Sequence, residues 1–126
     1  MNPEQTNDVT AVTHDVLAHH LACLGERDLA GTMADYRDDA TLFTPDGVLR
    51  GSAALRGFFA ELFEEFAKPG MSYELLRQEV SGGIAYIVWT AETAGNHFEV
   101  AGDTFIIQNG KIATQTFAGK ISPKRR

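Results

Sequence analysis

The first half of the chain carries apolar residues at helical spacing. Between Val9 and Leu24 the apolar side chains gather on one side of a helix wheel, and His20 falls in the middle of that side. Asp8 has the side chain of an N-cap, and Gly25 suits a helix end. This pattern predicts an amphipathic helix that points one histidine into the protein.

Two more helices and a short strand follow. Residues 28–36 predict a short helix, residues 40–44 a short strand, and residues 45–47 a turn. Ser52 precedes a third helix that stops before Pro69, and this helix supplies four of the eight phenylalanines. Its apolar face comprises Leu55, Phe58, Phe59, Leu62, Phe63 and Phe66.

After residue 70 the apolar spacing changes to period two, which is typical of strands. The predicted strands are 72–80, 84–93, 97–108 and 111–121. Gly82-Gly83, Gly95-Asn96 and Asn109-Gly110 separate them as hairpin turns. Gly102 lies within the third of these strands, where we expect a bulge or a bend. Helices followed by a meander predict the α+β class, with helices on one face of a mostly antiparallel sheet.

The composition indicates one folded domain. The chain has 126 residues, with 44% hydrophobic and 22% charged side chains. We expect a single domain over residues 1–126, with residues 1–8 and 122–126 as tails. The formal net charge of −6 disfavours nucleic-acid binding, and the basic C-terminal residues are interpreted as a solvated terminus.

Neither cofactor nor metal is predicted. Cys23 is the single cysteine, which excludes an internal disulfide and a cysteine-rich zinc site. His14, His19 and His20 share a helix but point in different directions, and no phosphate-binding glycine motif is present. No apolar run is long enough for a membrane span, and we expect a cytoplasmic protein.

The order of elements and several local motifs resemble the nuclear transport factor 2-like superfamily, which includes SnoaL-like and ketosteroid isomerase-like domains. The resemblance rests on residues 27–31, 36–42, 45–47, 51, 58–59, 102–107 and 109–112, and covers about residues 9–121. It implies a cystatin-like cone, in which three N-terminal helices close a curved sheet. The same fold serves isomerases, dehydratases, cyclases, carriers and dimerisation modules.

The resemblance to ketosteroid isomerases also suggests where polar groups would enter the cone. In those enzymes a tyrosine and a protonated aspartate form an oxyanion hole, and a second aspartate is the base. The resemblance puts His20 in the place of the tyrosine, Thr44 in that of the base, and Asp103 in that of the protonated aspartate. Because a threonine hydroxyl is not a base near neutral pH, we do not expect the steroid isomerase mechanism.

A buried imidazole beside a carboxylate is the usual arrangement of a general acid or base. We therefore predict His20 and Asp103 as a catalytic pair. The alternative is that the two residues only satisfy each other and hold the first helix on the sheet.

The resemblance also implies a largely apolar pocket for a small hydrophobic molecule. The residues expected to line it are Met33, Tyr36, Phe43, Thr44, Phe58, Phe59, Phe63, Tyr86, Val88, Thr90, Phe105, Gln115 and Phe117. The alternative for the aromatic residues is that they fill the core.

With this assignment of faces, four apolar residues would lie on the convex side of the sheet: Ile87, Trp89, Phe98 and Ile106. Such a face is too apolar for a monomer and predicts a homodimer through the convex face. Two functions remain open: an isomerase, lyase or cyclase without cofactor, and a non-catalytic binding or dimerisation module.

Overall fold

The computed structural model describes residues 3–124, with side chains from residue 8 onward. The elements in chain order are α1 (Pro3–Glu26), α2 (Leu29–Ala34), β1 (Tyr36–Thr44), β2 (Gly47–Arg50), α3 (Ser52–Ala67), β3 (Ser72–Ser81), β4 (Ile84–Glu92), β5 (Asn96–Gln108) and β6 (Lys111–Pro123). The helices pack on one face of the sheet, so the predicted α+β class with a cystatin-like cone is confirmed.

The six strands form one mixed sheet in the order β2-β1-β6-β5-β4-β3. β1 and β6 run parallel, and every other neighbouring pair runs antiparallel. The turn between β5 and β6 has φ of 52° at Asn109 and 78° at Gly110, as a tight two-residue hairpin requires. The four predicted meander strands are confirmed to within two residues at each end.

Helix α1 is longer than predicted. It begins at Pro3, so Asp8 lies inside the helix and is not its N-cap, and Val9 and Val12 are exposed. Its end is formed by Arg27, with φ of 56°, and by the Asp28 N–H, which donates to the Cys23 carbonyl at 2.9 Å. The prediction of an N-terminal tail over residues 1–8 is therefore wrong for residues 3–8, which are helical. Residues 1–2 lie outside the described part of the chain.

Three further boundaries differ from prediction. α2 ends at Ala34 and β1 begins at Tyr36 instead of residue 40, because Tyr36 already pairs with Ile112 in the sheet. Strand β2 was not predicted. β6 continues to Pro123, and the Lys124 N–H donates to the Gly95 carbonyl at 2.9 Å, so residues 122–124 pack on the fold. The predicted C-terminal tail is wrong for these residues, and residues 125–126 lie outside the description.

The bulge in β5 is at Glu99 rather than at Gly102. Gly102 pairs regularly with Val88 and Ala118, whereas Glu99 is an extra residue opposite both neighbouring strands. The insertion changes the alternation of side chains, so Phe98 lies on the same face as Ala101. Phe98 is therefore buried, and the prediction that it faces outward is wrong.

The assignment of faces along β4 is also inverted. Ile87 pairs with Asp103 and is buried, and Trp89 is buried two residues later. Their strand neighbours Tyr86, Val88 and Thr90 alternate with them and lie on the convex face. The expectation that these three residues line the pocket, and that Ile87 and Trp89 lie outside, is therefore wrong.

Candidate functional site

A cavity of about 760 Å³ lies between the concave face of the sheet and helices α1 and α3. Helix α1 contributes Leu21 and Leu24, and α3 contributes Phe58, Leu62 and other apolar side chains. Arg27, Thr44 and Asp46 also line it, and all belong to chain segments where elements end. A volume of this size accommodates a small organic molecule.

One wall of the cavity is aromatic. The Trp89 ring stacks on Phe98 with centroids 5.4 Å apart and on Phe117 with centroids 6.2 Å apart. Tyr73, on the edge strand β3, lies 5.8 Å from the same indole. Rings arranged in this way present flat apolar surface to whatever enters the cavity.

Asp103 brings a carboxyl group to this apolar wall. It lies on β5 with Ile87 and Phe117 as its directly paired neighbours, while Trp89 and Gln115 are diagonal neighbours within reach. The Trp89 indole N–H donates to Oδ2 at 2.7 Å, and the Gln115 amide N–H donates to Oδ1 at 2.9 Å. The strand register thus fixes the orientation of the carboxyl group.

Burial raises the pKa of Asp103 above its usual range. The hydrogen bonds from Trp89 and Gln115 favour the charged form, as does the nearby His20, but these effects offset only part of the desolvation. The side chain is 7% exposed and borders the cavity. The environment therefore favours the protonated form of Asp103 more than solvent favours that of an exposed aspartate.

A second set of polar groups lies behind Gln115. The Tyr36 hydroxyl is 2.5 Å from Gln115 Oε1 and 3.1 Å from His20 Nε2. Burial, with added repulsion from Asp103 and Asp35, raises the pKa of Tyr36 well above its usual value. Tyr36 is therefore a neutral hydroxyl between an amide and an imidazole.

His20 is fully buried, as its place on the helix wheel predicted. Its Nδ1 lies 3.1 Å from Asp35 Oδ2, and His19 Nδ1 lies 2.8 Å from Asp35 Oδ1. Burial alone would raise the pKa of Asp35, but hydrogen bonds and charge from His20 and His19 outweigh it and lower that pKa.

The carboxylate beside His20 is therefore Asp35 and not Asp103. Tyr36 and Gln115 stand between His20 and Asp103, so the predicted direct pair is not formed. Sequence reasoning missed Asp35. The available signal was that a buried imidazole has two nitrogens, and the predicted pair supplies a partner for only one of them.

Six of the residues predicted to line the pocket border the cavity: Thr44, Phe58, Phe59, Phe105, Gln115 and Phe117. The Thr44 hydroxyl is engaged in the β1-β2 turn, where it donates to the Gly47 carbonyl at 3.0 Å and accepts from the Asp46 N–H. It is held as a structural group.

The other predicted lining residues lie elsewhere. Met33, Tyr36 and Phe63 pack in the core without bordering the cavity. Phe43 pairs with Thr116 on the convex face and is exposed, as is Tyr86. Ile87, Trp89 and Phe98 replace them in the wall, because the bulge at Glu99 and the true register of β4 turn them inward.

Two features of the described residues bear on metals and membranes. Among the side chains from residue 8 to residue 124, no three His, Cys, Asp or Glu residues are arranged to hold a metal ion. Within residues 3–124, no helix has the length and apolarity needed to cross a membrane.

The chain is similar to several solved structures. An NTF2-like protein of unknown function from Mesorhizobium loti is 20% identical, with 88% of this chain and 93% of that chain covered and a TM-score of 0.76. A candidate ketosteroid isomerase from Kribbella flavida DSM 17836 is 15% identical, with coverage of 93% and 84% and a TM-score of 0.74. At these identities the likeness shows the fold alone.

A third similar structure is SalBIII, an epoxide hydrolase/cyclase-like enzyme with a role in pyran ring formation in the polyether salinomycin. It is 18% identical, with 89% of this chain and 95% of that chain covered and a TM-score of 0.74. No curated protein matches the sequence. The SnoaL-like domain family matches residues 17–115, most of the chain. The chain therefore belongs to the SnoaL-like domain family.

Proposed function

We propose that the protein binds a small, largely apolar organic molecule in the 760 Å³ cavity and converts it without a cofactor, as an isomerase, lyase or cyclase. The observation that carries this proposal is Asp103, a buried carboxyl group with a raised pKa on an apolar cavity wall. Asp103 is the general acid or base.

The surroundings of Asp103 suit that role. In the protonated form the carboxyl group donates a proton or hydrogen bond to a carbonyl, hydroxyl or ether oxygen of the ligand, and in the ionised form it accepts a proton. Trp89 and Gln115 fix its position, which reduces the reorganisation needed for proton transfer. SalBIII, which has the same fold, is described as an epoxide hydrolase/cyclase-like enzyme, and cyclisation is one of the reaction classes proposed here.

The test is a screen of carbonyl and hydroxy-polyketide compounds. Binding is followed by the fluorescence of Trp89, the single tryptophan, and conversion by mass spectrometry. Asp103→Asn should retain binding and lower turnover by at least about 100-fold. Asp39→Asn is the matched control, because Asp39 is exposed and bonded to Arg37 on the far end of β1. Equal turnover in Asp103→Asn and the wild type would refute the catalytic role.

The second candidate is a non-catalytic ligand carrier, which the same cavity favours. Leu62→Trp places a large side chain into the cavity from α3 and should abolish binding in either case. Leu76→Trp, at an exposed position of β3, is the control that should bind normally. Binding that Leu62→Trp removes, without conversion of any bound compound, would identify a carrier.

We also propose that two copies associate through the convex face of the sheet, where Ile106 is the one exposed residue of the four first expected. One row of paired residues crosses this face from β2 to β3, and only its last residue, Glu79, is charged. The row consists of Val48, Phe43, Thr116, Thr104, Tyr86 and Glu79. The parallel row through Ile106 and Ile84 is charged only at Arg50. An uncharged centre with charges at the rim is typical of a protein interface.

A second copy of the chain is the proposed occupant because the neutral centre presents no charge that would select a different partner. Sedimentation equilibrium should give twice the chain mass for the wild type and the monomer mass for Ile106→Lys. Val9→Lys changes an exposed apolar side chain on α1 and should leave the mass unchanged. A monomeric wild type at micromolar concentration would refute the proposed dimer.

A further inference from the structure

A continuous line of side chains connects the cavity to Asp35, which lies between α2 and β1 and is the outer end of the line. From Asp103 it runs through Gln115, Tyr36 and His20 to Asp35, with successive contacts of 2.9, 2.5, 3.1 and 3.1 Å. We call these five residues the polar line. Every contact joins atoms that can donate or accept a hydrogen, and the apolar core encloses its middle.

The hydrogens available in the polar line do not match its contacts. Each of the four contacts requires one hydrogen. A neutral His20 supplies one, the Tyr36 hydroxyl supplies one, and the Gln115 amide supplies one because its nitrogen faces a single neighbour. With both carboxyl groups ionised, one contact therefore joins two acceptors. One additional proton completes the line.

Two arrangements accept that proton and leave every contact satisfied. In the first, His20 carries both ring protons, Tyr36 donates to Gln115, and the amide of Gln115 donates to an ionised Asp103. In the second, His20 is neutral, and its Nε2 accepts a hydrogen bond from the Tyr36 hydroxyl. The Gln115 amide is turned over, so that its nitrogen donates to the Tyr36 oxygen. A protonated Asp103 then donates to Gln115 Oε1. The two arrangements contain the same number of protons: His20 Nε2 holds the additional one in the first and Asp103 in the second. Tyr36 and Gln115 only reverse the direction of their hydrogen bonds and carry no proton across.

We propose that His20 and Asp103 share one proton through Tyr36 and Gln115, and that His20 is thereby a positioning residue that sets the protonation state of Asp103. The catalytic consequence of this inference rests on the proposed function. The shared proton itself does not, since it exists with or without a substrate. It assigns His20 a role that needs no contact with the ligand, because His20 does not border the cavity.

The charged and titratable groups around both ends are few. His20 faces Asp35 and Tyr36, and its remaining ring neighbours Phe59 and Phe105 are apolar. His19 shares Asp35 with it and lies 3.6 Å from the Cys23 thiol. Burial and the charges of Asp28, Asp35 and Glu26 raise the pKa of that thiol.

Asp103 faces Trp89 and Gln115 directly. Tyr73 on β3 is also near: burial raises the pKa of this tyrosine, and repulsion from Asp103 raises it further. Of these groups, only His20 and Asp103 differ in their number of hydrogens between the two arrangements. Burial alone would raise the pKa of Asp35, but its two histidines outweigh this effect and lower that pKa. Burial raises the pKa of Tyr36.

The wild-type protein alone supplies a first test. The Trp89 indole N–H donates to Asp103, so its proton–nitrogen NMR signal reports the ionisation of Asp103. A shared proton belongs to the pair, and the Trp89 and His20 signals should therefore change in the same titration step. Midpoints that differ by more than about one pH unit would overturn the proposal.

Tyr36→Phe removes the hydroxyl that joins the two halves of the polar line and should split the shared step into separate midpoints for His20 and Asp103. Tyr86→Phe changes an exposed tyrosine of the convex face and should preserve the single step. A shared step that persists in Tyr36→Phe would overturn the proposal. If this variant does not fold, the wild-type titration decides.

Asp103→Asn tests the second arrangement, because an asparagine amide can donate to Gln115 as a protonated carboxyl would. The midpoint of His20 should fall by about one pH unit in this variant, and by less than half as much when Tyr36→Phe is also present. Equal shifts in both backgrounds would indicate simple charge attraction and overturn the shared proton. None of these measurements uses a substrate, so the absence of turnover would refute the proposed function alone.

Discussion

Asp35 and Asp103 are the two ends of the polar line, and the same residue type behaves differently at each. Each carboxyl group has two hydrogen-bond partners. At the outer end, imidazole donors overcome the effect of burial and lower the pKa of Asp35. At the inner end, burial dominates and raises the pKa of Asp103, despite an indole and an amide donor.

The number of hydrogen bonds therefore does not decide the ionisation of a buried carboxyl group. The partners of Asp35 can carry positive charge, and one of them, His19, has a side chain that is 54% exposed. The direct partners of Asp103 are neutral and sit in an aromatic wall. Chargeable donors near solvent fix a carboxylate, whereas neutral donors in an apolar wall leave a carboxyl group able to gain and lose a proton.

The largest stability change is expected at the outer end. Asp35→Asn should lower the free energy of unfolding by about 2 to 3 kcal/mol at pH 7, because two imidazole donors lose a charged acceptor and one of them faces the new amide nitrogen. Chemical denaturation of the variant and the wild type measures the difference.

The pH dependence of this difference provides the control. The folded-state pKa of Asp35 is lowered, so its contribution is present above the ordinary aspartate pKa and is lost as the pH falls through the folded value. The gap between Asp35→Asn and the wild type should therefore narrow in acid. A gap that stays constant between pH 7 and pH 3 would contradict the charged role of Asp35.

A smaller change of opposite sign is expected at the inner end. Burial raises the folded-state pKa of Asp103, so its contribution is present below the ordinary aspartate pKa and is lost as the pH rises through the folded value. Asp103→Asn lacks this loss. Between pH 4 and pH 8 the variant should gain about 1 kcal/mol on the wild type, as expected for one imperfectly paired buried group.

Denaturation at several pH values measures this gain, with Asp39→Asn as the exposed control that should follow the wild type. If the wild type instead gained stability relative to Asp103→Asn as the pH rises, the pKa of Asp103 would be lowered like that of Asp35. The two ends of the polar line would then not differ in ionisation.

The elements were predictable because their signals are local. The hairpin at Asn109 and Gly110 follows from residues that tolerate positive φ, and the phenylalanines of α3 mark one helix face. The inward direction of His20 follows from α1 alone. These predictions needed no knowledge of how distant segments meet.

The faces of the sheet were not predictable in the same way. A single extra residue at Glu99 reverses the alternation on one side of β5, and nothing in the local pattern distinguishes it from Gly102. The same dependence on register moved Trp89 from the convex face to the cavity. The partner of His20 was missed because Asp35 follows α2 and reaches His20 only through the packing of that turn on α1.

The smallest change in stability is expected for His19. Its size shows which histidine keeps Asp35 ionised at the outer end of the polar line. His19→Ala should cost about 0.5 kcal/mol, because an exposed imidazole exchanges Asp35 for water at little loss. His14→Ala changes another exposed histidine of α1 and corrects for the helix-favouring effect of alanine. Denaturation at pH 7 gives both values. A cost for His19→Ala as large as that of Asp35→Asn would mean that the exposed histidine, and not the buried His20, holds Asp35 in its ionised form.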